Sequence, residues 1–129
     1  MKITASAISL NVAEPAAAGR FLADHLGFTV DMEADGFVSL SRPDAGMSVV
    51  FLRTGLATLP DDQRDEHARG QILAFVVEDL EGELARLQAE GVTITMPLTA
   101  EEWGERAFQV REPNGVIIQL VDWNGPMGA

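Results

Sequence analysis

The sequence predicts an α+β fold assembled from two tandem βαβββ modules, and three observations lead there. The order strand, helix, strand, strand, strand can be read twice along the chain. The two passes superpose at nearly constant offsets: Val12 on Val77 and Ala7 on Ile72 at 65 residues, Gly27 on Gly91 and Val30 on Ile94 at 64, Val50 on Gln119 at 69. In each pass a glycine, Gly46 or Gly115, precedes the final strand. A repeated order of elements at a fixed period is the mark of internal duplication. The modules read as residues 1–53 and 71–129, joined by a linker at 54–70, within a single domain of 129 residues.

Ile3 to Val12 alternates: Ile8, Leu10 and Val12 make one apolar face, Ala5, Ala7, Ser9 and Asn11 a small or polar one. Glu14-Pro15 opens a helix, because proline is tolerated in the first turn. Phe21, Leu22 and Leu26 stripe that helix and Gly27 ends it. Phe28–Met32, Phe37–Ser41 and Met47–Arg53 follow as strands separated by Gly-containing turns. Thr54 to Gly70, with Pro60 and a cluster of charges, reads as an exposed linker containing a short helical turn. Gln71 to Glu78 resumes as a strand. Asp79 is a helix N-cap, Leu80, Leu84 and Leu87 stripe the helix, and Gly91 stops it. The acidic residues from Glu78 to Glu83 suit a helix N-terminus. Three strands complete the second module: Val92–Met96, Arg106–Arg111 and Val116–Asp122.

The stretch from Glu101 to Trp123 is the most informative. Glu112-Pro113-Asn114-Gly115 supplies turn chemistry between two strands. Gln119 interrupts an otherwise apolar strand, and its amide is satisfied either by a neighbouring strand or by a ligand. Trp103, in a loop flanked by glycine, and Trp123, just past the last strand, offer flat faces for planar or cationic ligands; the alternative is an interface or core anchor. His25 falls near a helix C-terminus, where an imidazole is favourable, and His67 falls among the charges of the linker. An acid/base couple of His67 with Glu66 or Asp65 would sit on a poor scaffold.

Composition removes several function classes. With 47% hydrophobic and 22% charged residues the chain is globular. It has no cysteine, which excludes disulfides, thiolate nucleophiles and thiolate metal sites. No apolar run approaches the roughly 18 residues of a membrane span, and Met1-Lys2-Ile3 leads straight into a strand, so a cytoplasmic protein is expected. A net charge of −11 with no offsetting basic patch argues against nucleic acid and is compatible with a cationic small molecule or with simple solubility.

Three segments in order, ISLNVAEPAAAGRFLADHLGF, LAFVVEDLEGELARLQAEGV and WGERAFQVREPNGVIIQLV, resemble the vicinal oxygen chelate superfamily of glyoxalases, bleomycin-resistance proteins and extradiol dioxygenases. The resemblance covers nearly the whole chain. It implies two βαβββ modules whose curved mixed sheets enclose a cleft, often completed in a homodimer. It also implies a divalent metal held from the first and last strands of each module. The corresponding positions are Ala7, Val50, Ile72 and Gln119, and three of them have no donor atom. The expectation is therefore no metal, no cofactor and no catalytic residue.

If those positions face the cleft, alternation brings their neighbours with them. The lining would comprise Ala5, Ala7, Ser9, Asn11, Ser48, Val50 and Leu52 from the first half. Ile72, Ala74, Val76, Ile117, Gln119 and Val121 would come from the second, with Trp103 and Trp123 beside them. Such a lining is a small-molecule pocket, or else side chains packed on one another as core. The function expected is sequestration of an aromatic or cationic small molecule, such as an antibiotic, in a dimer cleft without chemistry. The alternative is a lyase, isomerase or dioxygenase with unconventional ligands, Gln119 with Glu78 or Asp122.

Overall fold

The computed structural model describes residues 1–126. The chain divides into two compact units, Met1–Gly70 and Gln71 onward. The α+β fold of two βαβββ modules is borne out: the first unit contains β1 (Ala7–Val12), α1 (Pro15–Leu26), β2 (Thr29–Ala34), β3 (Phe37–Ser41) and β4 (Ser48–Arg53). The second contains β5 (Ile72–Val76), α2 (Leu80–Ala89), β6 (Met96–Ala100), β7 (Arg106–Arg111) and β8 (Ile117–Asp122). Each sheet has four strands, ordered β1-β4-β3-β2 and β5-β8-β7-β6. The outer pairs β1/β4 and β5/β8 are parallel and the remaining pairs antiparallel.

The duplication is visible rung by rung. In the first sheet Ser9 pairs Val50, Val50 pairs Ser39 and Ser39 pairs Met32. In the second the corresponding row is Ala74, Gln119, Gln109 and Met96. The offsets of 65, 69 and 64 residues read from the sequence map three of these four positions onto each other. The same registers are therefore built twice.

In the first unit α1 covers the apolar face formed by Leu10, Val12, Val38, Leu40, Val49 and Phe51, all buried. Gly19 permits the close approach, since a Cβ there would lie 2.9 Å from Val38 Cγ2. The helix starts with Pro15 in its first turn and ends at Gly27, whose φ of 70° is left-handed. Arg42 Nη1 donates to the Leu26 carbonyl at 2.5 Å, satisfying a helix-end acceptor from another element. In the second unit Asp79 caps α2 by accepting from Gly82 N at 3.1 Å, as its sequence position suggests. Leu80 and Leu87 of α2, with Leu73, Phe108, Val110, Ile118 and Leu120, form its core.

Several boundaries differ from the sequence reading: β2 runs on to Ala34 and β5 covers only Ile72–Val76, and three further differences have a visible cause. The sixth strand is Met96–Ala100, not Val92–Met96. Val92 N is taken by the Leu87 carbonyl at the exit of α2, and the ladder with β7 is only approached at Thr95. Pro97 does not forbid the strand, because β6 is an edge and its register shifts between Met96 and Thr99. The first strand begins at Ala7, where β4 supplies a partner; residues 1–6 are exposed and precede the strand. Phe28 belongs to the end of α1, its N–H bonded to the Leu22 carbonyl.

Residues 54–70 form an organised loop of the first unit. Arg64 donates to the carbonyls of Leu56, Ala57 and Leu59. The loop is moored to β1 by Ala68 N on the Asn11 carbonyl at 2.6 Å and by Asn11 Nδ2 on the Gln63 carbonyl at 3.2 Å. No described helix is long and apolar enough to cross a membrane.

Candidate functional site

Strand alternation gives each sheet a second face, opposite its helix. α1 lies on the Val38 side, so β1 and β4 turn Ala7, Ser9, Asn11, Ser48, Val50 and Leu52 to the open face of the first sheet. Register adds Phe37, Ser39 and Met32, which the sequence reading did not project there. Ala5 precedes β1 and lies outside the ladder. Asn11 is less free than its sequence position suggests, since its amide holds the 54–70 loop.

In the second sheet Glu81 of α2 bonds Arg106, which in turn grips Asp122, so α2 lies on the face of Ile118, Leu120 and Asp122. The open face carries Ile72, Ala74, Val76, Ile117, Gln119 and Val121, with Ala107, Gln109, Arg111 and Met96 added by register. Val121 shares that face but is only 3% exposed, so it contributes packing and not a contact surface. Ile72 and Val76 are exposed.

Gln119 meets both of its sequence alternatives at once. It stands on the open face, and its Oε1 accepts from Gln109 Nε2 at 2.7 Å across the rung. The rows paired on both open faces contain no carboxylate; their one formal charge is Arg111. The chain's acidity lies elsewhere.

Trp103 and Trp123 enter from one end of the second sheet, the end of the Arg106–Asp122 rung. The Trp103 loop is fastened by Glu101 N to the Glu105 carbonyl at 2.7 Å and Gly104 N to the Glu101 carbonyl at 3.1 Å. Gly125 N, two residues past Trp123, bonds the Gly104 carbonyl at 3.0 Å. Both indoles remain 56% exposed. Each presents part of a flat aromatic face to solvent.

Asp122 anchors this end. It is 2% exposed, accepts from Arg106 Nε at 2.9 Å and Nη2 at 2.5 Å, and its carboxyl is held down from 3.8 to about 2, chiefly by those bonds. The guanidinium is raised in return. A depressed carboxyl stabilises the fold above its unfolded value and loses that contribution as pH falls through its folded one. The melting temperature should therefore fall steeply as pH drops from about 4 to about 2, and Asp122→Asn should flatten that limb. An unchanged acid slope in the variant would contradict the assignment.

The four positions at which the resemblance places metal ligands do not fit a metal. Ala7, Val50 and Ile72 offer no donor, and the one amide oxygen, of Gln119, already accepts from Gln109. The unconventional set of Gln119 with Asp122 is also not assembled: the two alternate to opposite faces, and Asp122 is occupied by Arg106. Glu78 lies beyond β5 and is exposed. Among the described residues no three His, Asp or Glu side chains are grouped to hold an ion. His25 packs edge-on against Phe21 with ring centroids 5.0 Å apart, and His67 Nδ1 lies 3.0 Å from the Ala68 carbonyl.

The profile of the Glyoxalase/Bleomycin resistance protein/Dioxygenase superfamily matches residues 4–120. The chain belongs to this superfamily. Solved structures of the superfamily fold agree at low identity. A glyoxalase/bleomycin resistance protein/dioxygenase from Nocardioides is 19% identical with a TM-score of 0.72, covering 95% of this chain and 85% of that one. A lactoylglutathione lyase from Agrobacterium tumefaciens is 16% identical with a TM-score of 0.73, covering 95% and 96%. TioX from Micromonospora sp. ML1 is 22% identical with a TM-score of 0.70, covering 94% and 99%. Among curated proteins no sequence matches. At these identities the structures establish the superfamily fold and leave activity to the residues of this chain.

Proposed function

We propose that this superfamily member binds a planar aromatic small molecule on the open face of its second sheet and sequesters it without metal chemistry. The observation that carries this reading is the second sheet's open face. Its position for a superfamily metal ligand is an amide already hydrogen-bonded to its neighbour, and two exposed tryptophans stand at its end. Small and apolar side chains with a few fixed polar groups are how ligand surfaces are usually made. The absence of carboxylates from the paired rows favours the aromatic over the cationic form of ligand. Any positive charge on the ligand would be met by indole faces. We further propose a homodimer, because β2 is an edge strand whose six residues are all exposed, including Val30 and Met32. An antibiotic is one ligand of the required shape, and an intracellular site of action would suit sequestration.

The test is a titration of planar heteroaromatic compounds followed by tryptophan fluorescence. Saturable quenching or a spectral shift at micromolar concentration is expected for at least one. A protein inert to neutral and cationic members of such a panel would contradict the proposal.

A further inference from the structure

The rung Gln109–Gln119 has a polar capacity that the fold does not use. Its counterpart in the first sheet is Ser39–Val50, which has no amide pair, so the architecture does not require one. A primary amide carries one acceptor oxygen and two N–H donors. The single bond from Gln109 Nε2 to Gln119 Oε1 leaves the Gln109 oxygen and the Gln119 amino group on the same rung. Both side chains are half-buried, and the neighbours along the row are Ala74 and Met96. Ala74 is small and exposed, which leaves the Gln119 amide uncovered on one flank; Met96 is an adaptable apolar flank on the other. In apolar surroundings such a donor and acceptor bind strongly when matched and are costly when left unmatched.

We infer that the Gln109–Gln119 pair is a specificity element for a ligand edge presenting an N–H beside a C=O, as in a lactam, imide or pyridone. This rests on the proposed binding of planar molecules and narrows their class. The ligand N–H would meet the Gln109 oxygen and its carbonyl the Gln119 amino group. A quinoline or hydrocarbon of the same outline would leave both protein groups unpaired.

The experiment is calorimetric titration of the full chain with 2-quinolone and with N-methyl-2-quinolone, which keeps the carbonyl and the ring but loses the N–H. The wild-type protein should bind 2-quinolone about tenfold more tightly. Gln109→Met and Gln119→Met should bring the two affinities together. Equal affinities in the wild type, or a preference that survives both substitutions, would overturn the inference while leaving the binding proposal intact. Binding of neither compound would also overturn the inference, and the fluorescence panel decides the binding proposal separately. A second readout does not depend on the variants folding. The side-chain amide resonances of Gln109 and Gln119 should shift with 2-quinolone and stay in place with its N-methyl derivative; absence of any shift would overturn the assignment.

Discussion

Glu112→Ala is expected to destabilise the protein by about 3 kcal/mol and to lower its melting temperature by about 10 °C. The carboxylate is 2% exposed at the start of the turn between β7 and β8. It accepts from Asn114 N at 2.8 Å, Asn114 Nδ2 at 2.9 Å and Val116 N at 2.9 Å. Truncation strands the Val116 amide, which is buried beneath the turn at 4% exposure. Glu112→Gln is not a rescue. One of its two acceptor oxygens becomes an amino group facing a donor, so a loss of similar size is expected from thermal unfolding. A glutamine variant as stable as the wild type would show that the turn is held by its backbone bonds and by Gly115, whose φ is 91°.

Trp103→Ala is expected to weaken binding of a planar ligand by about tenfold or more while changing stability by less than about 0.5 kcal/mol. The two effects separate because the indole is largely in water while its backbone is fastened on both sides. Nothing in the core is lost by truncation, and a flat aromatic surface is. Trp123→Ala serves as comparison, since it removes an indole of equal exposure at the same end of the sheet. Calorimetric titration of the two variants with the compound bound by the wild type checks this. An unaltered affinity in Trp103→Ala would remove that residue from the site.

Much of the architecture could be read from the sequence because it is written twice. Strand alternation in β1 and β8, the Pro15 and Asp79 helix starts and the glycines after each helix are local signals, and each module repeats them. The fixed offsets then placed Ala7, Val50, Ile72 and Gln119 correctly within their strands, and the observed ladders follow the same register. The sixth strand was misplaced because Val92 and Ile94 alternate well. Their neighbourhood is nonetheless committed to the exit of α2, and Pro97 is tolerated only because β6 is an edge. The role of Asn11 as the mooring of the 54–70 loop could not be read, because its partners lie 52 residues and more away.

The candidate site was half legible. Projection from the first and last strands of each module found one half of each open face. The second and third strands supply the other half, and Gln109 is the residue that mattered most among those missed. The signal was present: Ala107, Gln109 and Arg111 alternate with the buried Phe108 and Val110. Following the duplication from Ser39 to Gln109 would have placed it opposite Gln119.

The most direct measurement of the central claim, recognition without a bound metal, is a ligand titration carried out in parallel with excess chelator and with added nickel, zinc, manganese or iron. The account predicts one dissociation constant across all conditions, since Ala7, Val50 and Ile72 supply no donor and Gln119 is taken by Gln109. Binding or turnover that disappears with the chelator and returns with one of these metals would contradict it.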